Sequence, residues 1–281
     1  MRGVLRKSCA FGFFAIGLSL ITGSAEADTP LPGLTNLNFL SYTGTNPKDT
    51  FTNVKPTGWT GGSGLIFIAS PGTSAANPNT PCGSTYLQTY GCPSNLAIAG
   101  GYNEVEADGN PVFESGFNYL VTGLTPGTTY SLSFYQAASQ QTTFTGATTE
   151  QWIVSLGTSG MRSSYDTSKP QNGCPGNICS YSNADPNASV VATTLMNTPS
   201  QGMTDWNFVT ISLKADATSD LLSFLAWGNN GSTVNLPPMV FLTGVNSQAG
   251  LNTPEPGSIL LLSTVVLGVV MGLRRRRATA V

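Results

Sequence analysis

The chain has 281 residues, enough for one large domain or two small ones once its ends are set aside. Between Asp28 and Thr253 it carries five basic side chains against twelve acidic ones, a formal −7 that the whole-chain value of −2 conceals. So acidic a body cannot bind nucleic acid by neutralising phosphates, and the lack of any histidine removes Ser-His-Asp and Cys-His nucleophilic sites, HExxH metalloproteases and His-ligated metals together.

The N-terminus begins with Arg2, Arg6 and Lys7, continues through an apolar run from Ala10 to Ile21 and reaches Ala25-Glu26-Ala27. Basic, apolar and small-x-small segments in that order predict a signal peptide, residues 1–27, cut by signal peptidase after Ala27. The competing reading is a retained anchor, for which the apolar run is short.

From residue 28 to about 250 the composition is rich in Gly, Thr, Ser and Asn, with short apolar runs between turn residues and no sustained 3.6-residue period. Leu37 to Tyr42 is expected as a first strand. Gly64 to Ala69 is a continuous apolar run that fits a strand buried on both faces. Phe117 to Val121 alternates up to the turn Gly123-Leu124-Thr125-Pro126-Gly127-Thr128. Beyond it Tyr130, Leu132 and Phe134 face one way and Ser131, Ser133 and Tyr135 the other, which predicts a hairpin. Trp152, Val154 and Leu156 alternate next, then Val209, Ile211 and Leu213 against Phe208, Thr210 and Ser212. Leu221 to Trp227 and Met239 to Val245 complete the series. Seven to ten strands without helices argue for an all-β fold, a single antiparallel β-sandwich of jelly-roll type. Two loop-like insertions, Ser70 to Asn95 and Thr158 to Asn187, interrupt it, and long loops on a rigid sandwich are common binding sites.

Each insertion holds a cysteine pair. Cys82 with Cys92 and Cys174 with Cys179 are the expected disulfides of an exported chain, each closing a short loop and stabilising by about 2–3 kcal/mol. A zinc site is the alternative, poorly served by these spacings.

Glu104, Glu106, Asp108 and Glu114 form the dense carboxylate cluster. The first three alternate, so on a strand they share a face. With Asn110 they offer hard oxygen ligands to calcium; the plainer alternative is a solvated strand edge running into an Asp-Gly turn. No cofactor is otherwise required. Tyr86, Tyr90, Tyr165 and Tyr181 lie in or beside the cysteine loops and, with Trp227 ahead of Gly228-Asn229-Asn230-Gly231, are candidate platforms for a glycan. Trp152 and Trp206 sit at strand positions and read as core.

Residues 251–281 read as a separate segment. Gly257 to Leu273 is 17 residues without a charge, at the lower limit for spanning a bilayer, and Arg274, Arg275, Arg276 and Arg277 follow at once. The basic block places the C-terminus in the cytoplasm and the body outside. Thr253-Pro254-Glu255-Pro256-Gly257, the apolar stretch and the four arginines together resemble the PEP-CTERM sorting domain. That resemblance implies recognition of Pro254, Glu255 and Pro256 by an exosortase, transient residence in the inner membrane and sorting to the cell envelope, surface or extracellular matrix.

A second resemblance concerns the body. Ala107-Asp108-Gly109-Asn110-Pro111, Phe117 to Gln136 and Pro237 to Leu242 are similar to galactose-binding-like jelly rolls. Two functions stay open: a non-enzymatic surface protein that binds a glycan, the cell's own exopolysaccharide among the candidates, or a structural or adhesive protein with no small ligand. A carboxylate-based glycoside hydrolase is a distant third.

Overall fold

Alternating side chains decide the architecture, because each strand with one apolar face needs a second sheet to bury it. The computed structural model describes residues 29–44, 55–69, 81–83, 88–91, 96–98, 100–163, 178–232 and 236–245. The expected signal peptide and sorting segment, with Pro254, Glu255, Pro256 and Arg274 to Arg277, lie outside these residues. So do Tyr86, Cys92, Tyr165 and Cys174. Among the described residues no helix is long and apolar enough to cross a membrane.

Numbered in chain order, the first sheet comprises β1 (Thr29–Pro30), β5 (Ile66–Ala69), β8 (Glu104–Asp108), β10 (Thr129–Gln140), β16 (Asn207–Lys214) and β18 (Pro238–Thr243). The second comprises β4 (Trp59–Ser63), β9 (Gly116–Thr122), β11 (Thr148–Gly157), β14 (Ser189–Ala192), β15 (Met196–Thr198) and β17 (Ser219–Gly228). Three short ladders stand apart: β2 (Tyr42–Thr43) with β3 (Lys55–Pro56), β6 (Pro81–Gly83) with β7 (Gln88–Tyr90), and β12 (Met161–Ser163) with β13 (Tyr181–Asn183).

In the first sheet β16 pairs one edge of β10, while β1 and β18 share its other edge and lead on to β8 and β5. In the second, β14 and β15 flank β11, followed by β17, β9 and β4. Pairing is antiparallel throughout both sheets except for β1 against β10, which is parallel. The strands outnumber the sequence expectation because several are only two to four residues long.

One apolar core joins the two sheets. Val105, Leu132, Phe134 and Val240 come from the first, and Phe117, Trp152, Val154 and Phe224 from the second. Phe117 and Phe224 stack at 5.3 Å and 10°, and Trp59 and Trp152 tilt or stand edge-on against them. The Trp152 indole N–H donates across the core to the Phe241 carbonyl of the opposite sheet at 3.2 Å. A buried ring with a satisfied polar tip packs and cross-links at once.

Two local expectations are corrected. Leu37 to Ser41 is not a strand. Asn36 and Phe39 take left-handed backbone conformations (φ 53° and 55°), and the Asn36 side chain donates to the Ser41 carbonyl while accepting from its N–H. Asparagine tolerates that conformation and mimics a backbone turn. Strands β9 and β10 are not a hairpin either, since β9 pairs with β17 and β4 in the second sheet. The turn between them carries the chain from one sheet to the other. It is held by Leu124 N–H on the Thr218 carbonyl and Gly127 N–H on the Ala215 carbonyl, with Gly127 at φ 81°. The turn residues were legible, but not which sheet each arm would join.

Candidate functional site

The outward rows of β10 and β16 form a continuous strip. Their register sets Ser131 opposite Ser212, Ser133 opposite Thr210 and Tyr135 opposite Phe208, and because the inward residues fill the core, these six face outward. Ser133 and Thr210 hydroxyls lie 2.9 Å apart. Tyr135 and Phe208 are both half-buried, with ring centroids 4.9 Å apart and planes at 55°. Trp206, immediately before β16, is also half-buried and meets the edge of Tyr102 at 6.2 Å and 88°. Hydroxyls therefore give way to aromatic rings along one face.

One strand further across the sheet, beyond β18, lies the carboxylate row of β8. Val105 and Ala107 point into the core, so Glu104, Glu106 and Asp108 share the outer face, as their alternation implied. They are not a solvated edge: β8 sits between β18 and β5, and the three side chains are 0%, 0% and 1% exposed. Glu106 stands in register with Phe67 on one neighbour and Phe241 on the other. Among the described residues neither oxygen of Glu104 has a hydrogen-bond partner, and burial pushes its carboxyl up to about 8. Burial also raises Asp108 to about 7, opposed by the Asn110 N–H that its Oδ1 accepts at 2.8 Å. Tyr102 is raised by burial first and by Glu104 second.

The calcium grouping does not assemble as expected. Asp108 Oδ1 is engaged by that N–H, and Asn110 Oδ1 caps a short 3-10 turn by accepting from Val112 N–H at 3.1 Å. Glu114 points elsewhere, into an ion pair with Arg162 at 2.9 Å. Successive carboxylates of the row are set about 6.6 Å apart by the strand repeat, so they do not converge. Among the described residues no three acidic or cysteine side chains stand where they would hold a metal ion.

The expected aromatic loop site is divided between opposite faces of the sandwich. Tyr90 lies over the first sheet, where its carbonyl accepts from Ser139 Oγ and its hydroxyl accepts from Thr143 N–H at 3.0 Å. Tyr181 lies over the second sheet, 37% exposed and edge-on to Trp227 at 5.2 Å. Trp227 is no open platform, being 3% exposed and packed with Ile153, Met161, Cys179 and Leu225. Gly231 is required beneath it: a side chain there would meet the indole at 2.8 Å, and its φ is +80°. Cys179 is disulfide-bonded, and its N–H donates to the Gly231 carbonyl. Trp152 is core as expected, and Trp206, half-buried, packs against a smaller outer cluster of Phe67, Ala137, Met239 and Phe241.

Sequence reading therefore separated Tyr135, Phe208, Ser133 and Thr210 from the opposite rows of their strands but did not join them into a site. The available signal was two outward strand rows that each end in an aromatic ring.

No protein-family model matches this chain, and no curated protein matches it. Among solved structures it is similar to one described as Family 16 Carbohydrate Binding Module-2, at 17% identity and a TM-score of 0.26, over 57% of this chain and 82% of that one. It is similar to a second described as "CBM4 structure and function", at 14% and 0.28, over 76% and 97%. A third is the enzymatically active domain of bacteriophage CBA120 tailspike protein 4, at 12% and 0.30, over 73% of this chain and 21% of that one. Likeness this distant assigns no function.

Proposed function

We propose that this chain is an exported, non-enzymatic β-sandwich of jelly-roll type that binds a glycan on the outer face of its first sheet. The observation that carries the reading is the half-exposed Tyr135–Phe208 pair, continued by Trp206 on one side and by the Ser133–Thr210 hydroxyls on the other. A sugar ring has apolar C–H faces and hydroxyl edges, so rings beside hydroxyls on a rigid sheet match both. The β8 carboxylates support binding over hydrolysis. Glu104 and Glu106 are 0% exposed and cannot reach a glycosidic bond as a general acid and base must.

In this reading the address lies in the ends of the chain. Signal peptidase removes residues 1–27, the apolar stretch 257–273 holds the chain in the inner membrane against Arg274 to Arg277, and an exosortase acts at Pro254, Glu255 and Pro256. The product resides in the envelope, at the surface or in the extracellular matrix. Intact-mass analysis of surface material should show loss of the residues beyond Pro256; retained arginines would make the segment a plain anchor. No cofactor is required, and a melting temperature lowered by EDTA would add calcium to the account.

A glycan array on the 28–252 fragment tests the binding function. Retention of at least one polysaccharide, abolished by Tyr135→Ala with Phe208→Ala, is the expected result. Absence of binding to every glycan, the host's own exopolysaccharide included, would replace this reading with that of a structural or adhesive spacer.

A further inference from the structure

Resting on the glycan-binding reading, we infer that the ligand class is an uncharged polysaccharide, laid along strands β10 and β16. From Tyr135 and Phe208 to Ser131 and Ser212 the outward rows hold rings and hydroxyls, with neither a cation nor a carboxylate among them. Cations are scarce elsewhere too. Among the described residues they are Lys55, Arg162 and Lys214. Lys55 belongs to the β2–β3 ladder, and Arg162 lies on β12 and pairs with Glu114. Lys214 faces outward one row beyond Ser212, opposite Thr129. That leaves it about 7 Å from Ser212 at the hydroxyl end but six residues, about 20 Å, from Phe208, so the aromatic end lies well beyond a Debye length of about 8 Å at physiological salt.

The flank toward β8 supplies no positive potential, since its outward side chains are Glu104, Glu106 and Asp108. A polyanion such as a polyuronate would lie over the rings of this strip without a counter-charge. A neutral chain needs only ring stacking and hydroxyl exchange, which the strip offers over the seven residues from Trp206 to Ser212, about 20 Å. Thr210 and Ser212 are exposed, so the hydroxyl end of the strip is open.

The test is affinity electrophoresis of the exported body through gels holding galactomannan, xylan or mixed-linkage β-glucan, and in parallel polygalacturonate or alginate, at low and high salt. Retardation by a neutral polymer is expected, changing by less than about twofold with salt, with none by the polyanions. Thr210→Lys, at an exposed position that tolerates it, should weaken the neutral binding and confer salt-sensitive retardation by a polyanion. Wild-type binding to a polyanion that collapses in salt would overturn the charge inference while leaving glycan binding intact. Binding to neither class would overturn both together.

Discussion

Over the second sheet, Trp227 is covered by Met161, Cys179 and Tyr181, which lie on or beside the β12–β13 ladder. Over the first sheet, Tyr135 and Phe208 stand half-exposed, paired with each other beside the Ser133 and Thr210 hydroxyls. Both regions set aromatic rings on an outward strand row. The difference is what covers them. A ring that an insertion folds over becomes a small satellite core, whereas a ring left at the surface of a paired strand is available to a partner. An aromatic residue near a loop is therefore no better a candidate for binding than one on a strand. Its neighbours decide.

Four changes sharpen that contrast. The largest effect is expected from Trp227→Ala, which should cost about 3–5 kcal/mol by emptying the satellite core while leaving the first sheet's ligand bound at temperatures where the variant is folded. Chemical denaturation alongside gel retardation separates the two. A stability loss under about 1 kcal/mol would show that the second face is not the packed one.

Next is Glu104. Its folded value of about 8 lies above the ordinary 4.5, so the folded state holds the proton more tightly. Stability from this group is full below about pH 4.5 and falls as pH climbs toward 8, by an amount on the order of a few kcal/mol. Melting temperatures measured from pH 5 to pH 8 should decline, and Glu104→Gln should flatten that decline. Asp108, raised to about 7, adds to the same slope. A melting temperature that rises across this window would contradict the buried, unpartnered carboxyl.

Smaller is the stability effect of Tyr135→Ala, about 0.5–1.5 kcal/mol from the lost ring pair, set against a large loss of ligand. Smallest is Arg162→Ala. The guanidinium is 70% exposed, so removing its ion pair with Glu114 should change stability by less than about 1 kcal/mol and binding not at all.

Much of the fold was legible because alternation is a local signal. Tyr130, Leu132 and Phe134 against Ser131, Ser133 and Tyr135 could be sorted from spacing alone, and so could Val209, Ile211 and Leu213 against their neighbours. Sheet membership was not, because the turn at 123–128 looks the same whether it closes a hairpin or crosses between sheets. The carboxylate row shows the same division. Its common face followed from the period of two. Its burial depended on β18 and β5 arriving on either side, from 130 residues downstream and 40 upstream. The candidate site failed to emerge for a related reason. Tyr135 and Phe208 are 73 positions apart in the chain, and only the β10–β16 register makes them one surface.

The measurement closest to the central claim compares two variants of the exported body in one polysaccharide gel series: Tyr135→Ala with Phe208→Ala, and Tyr181→Ala. The account predicts a folded first variant that no longer binds and a second that binds as the wild type does. Retained binding in the first, with loss in the second, would move the site to the other face of the sandwich and contradict the account.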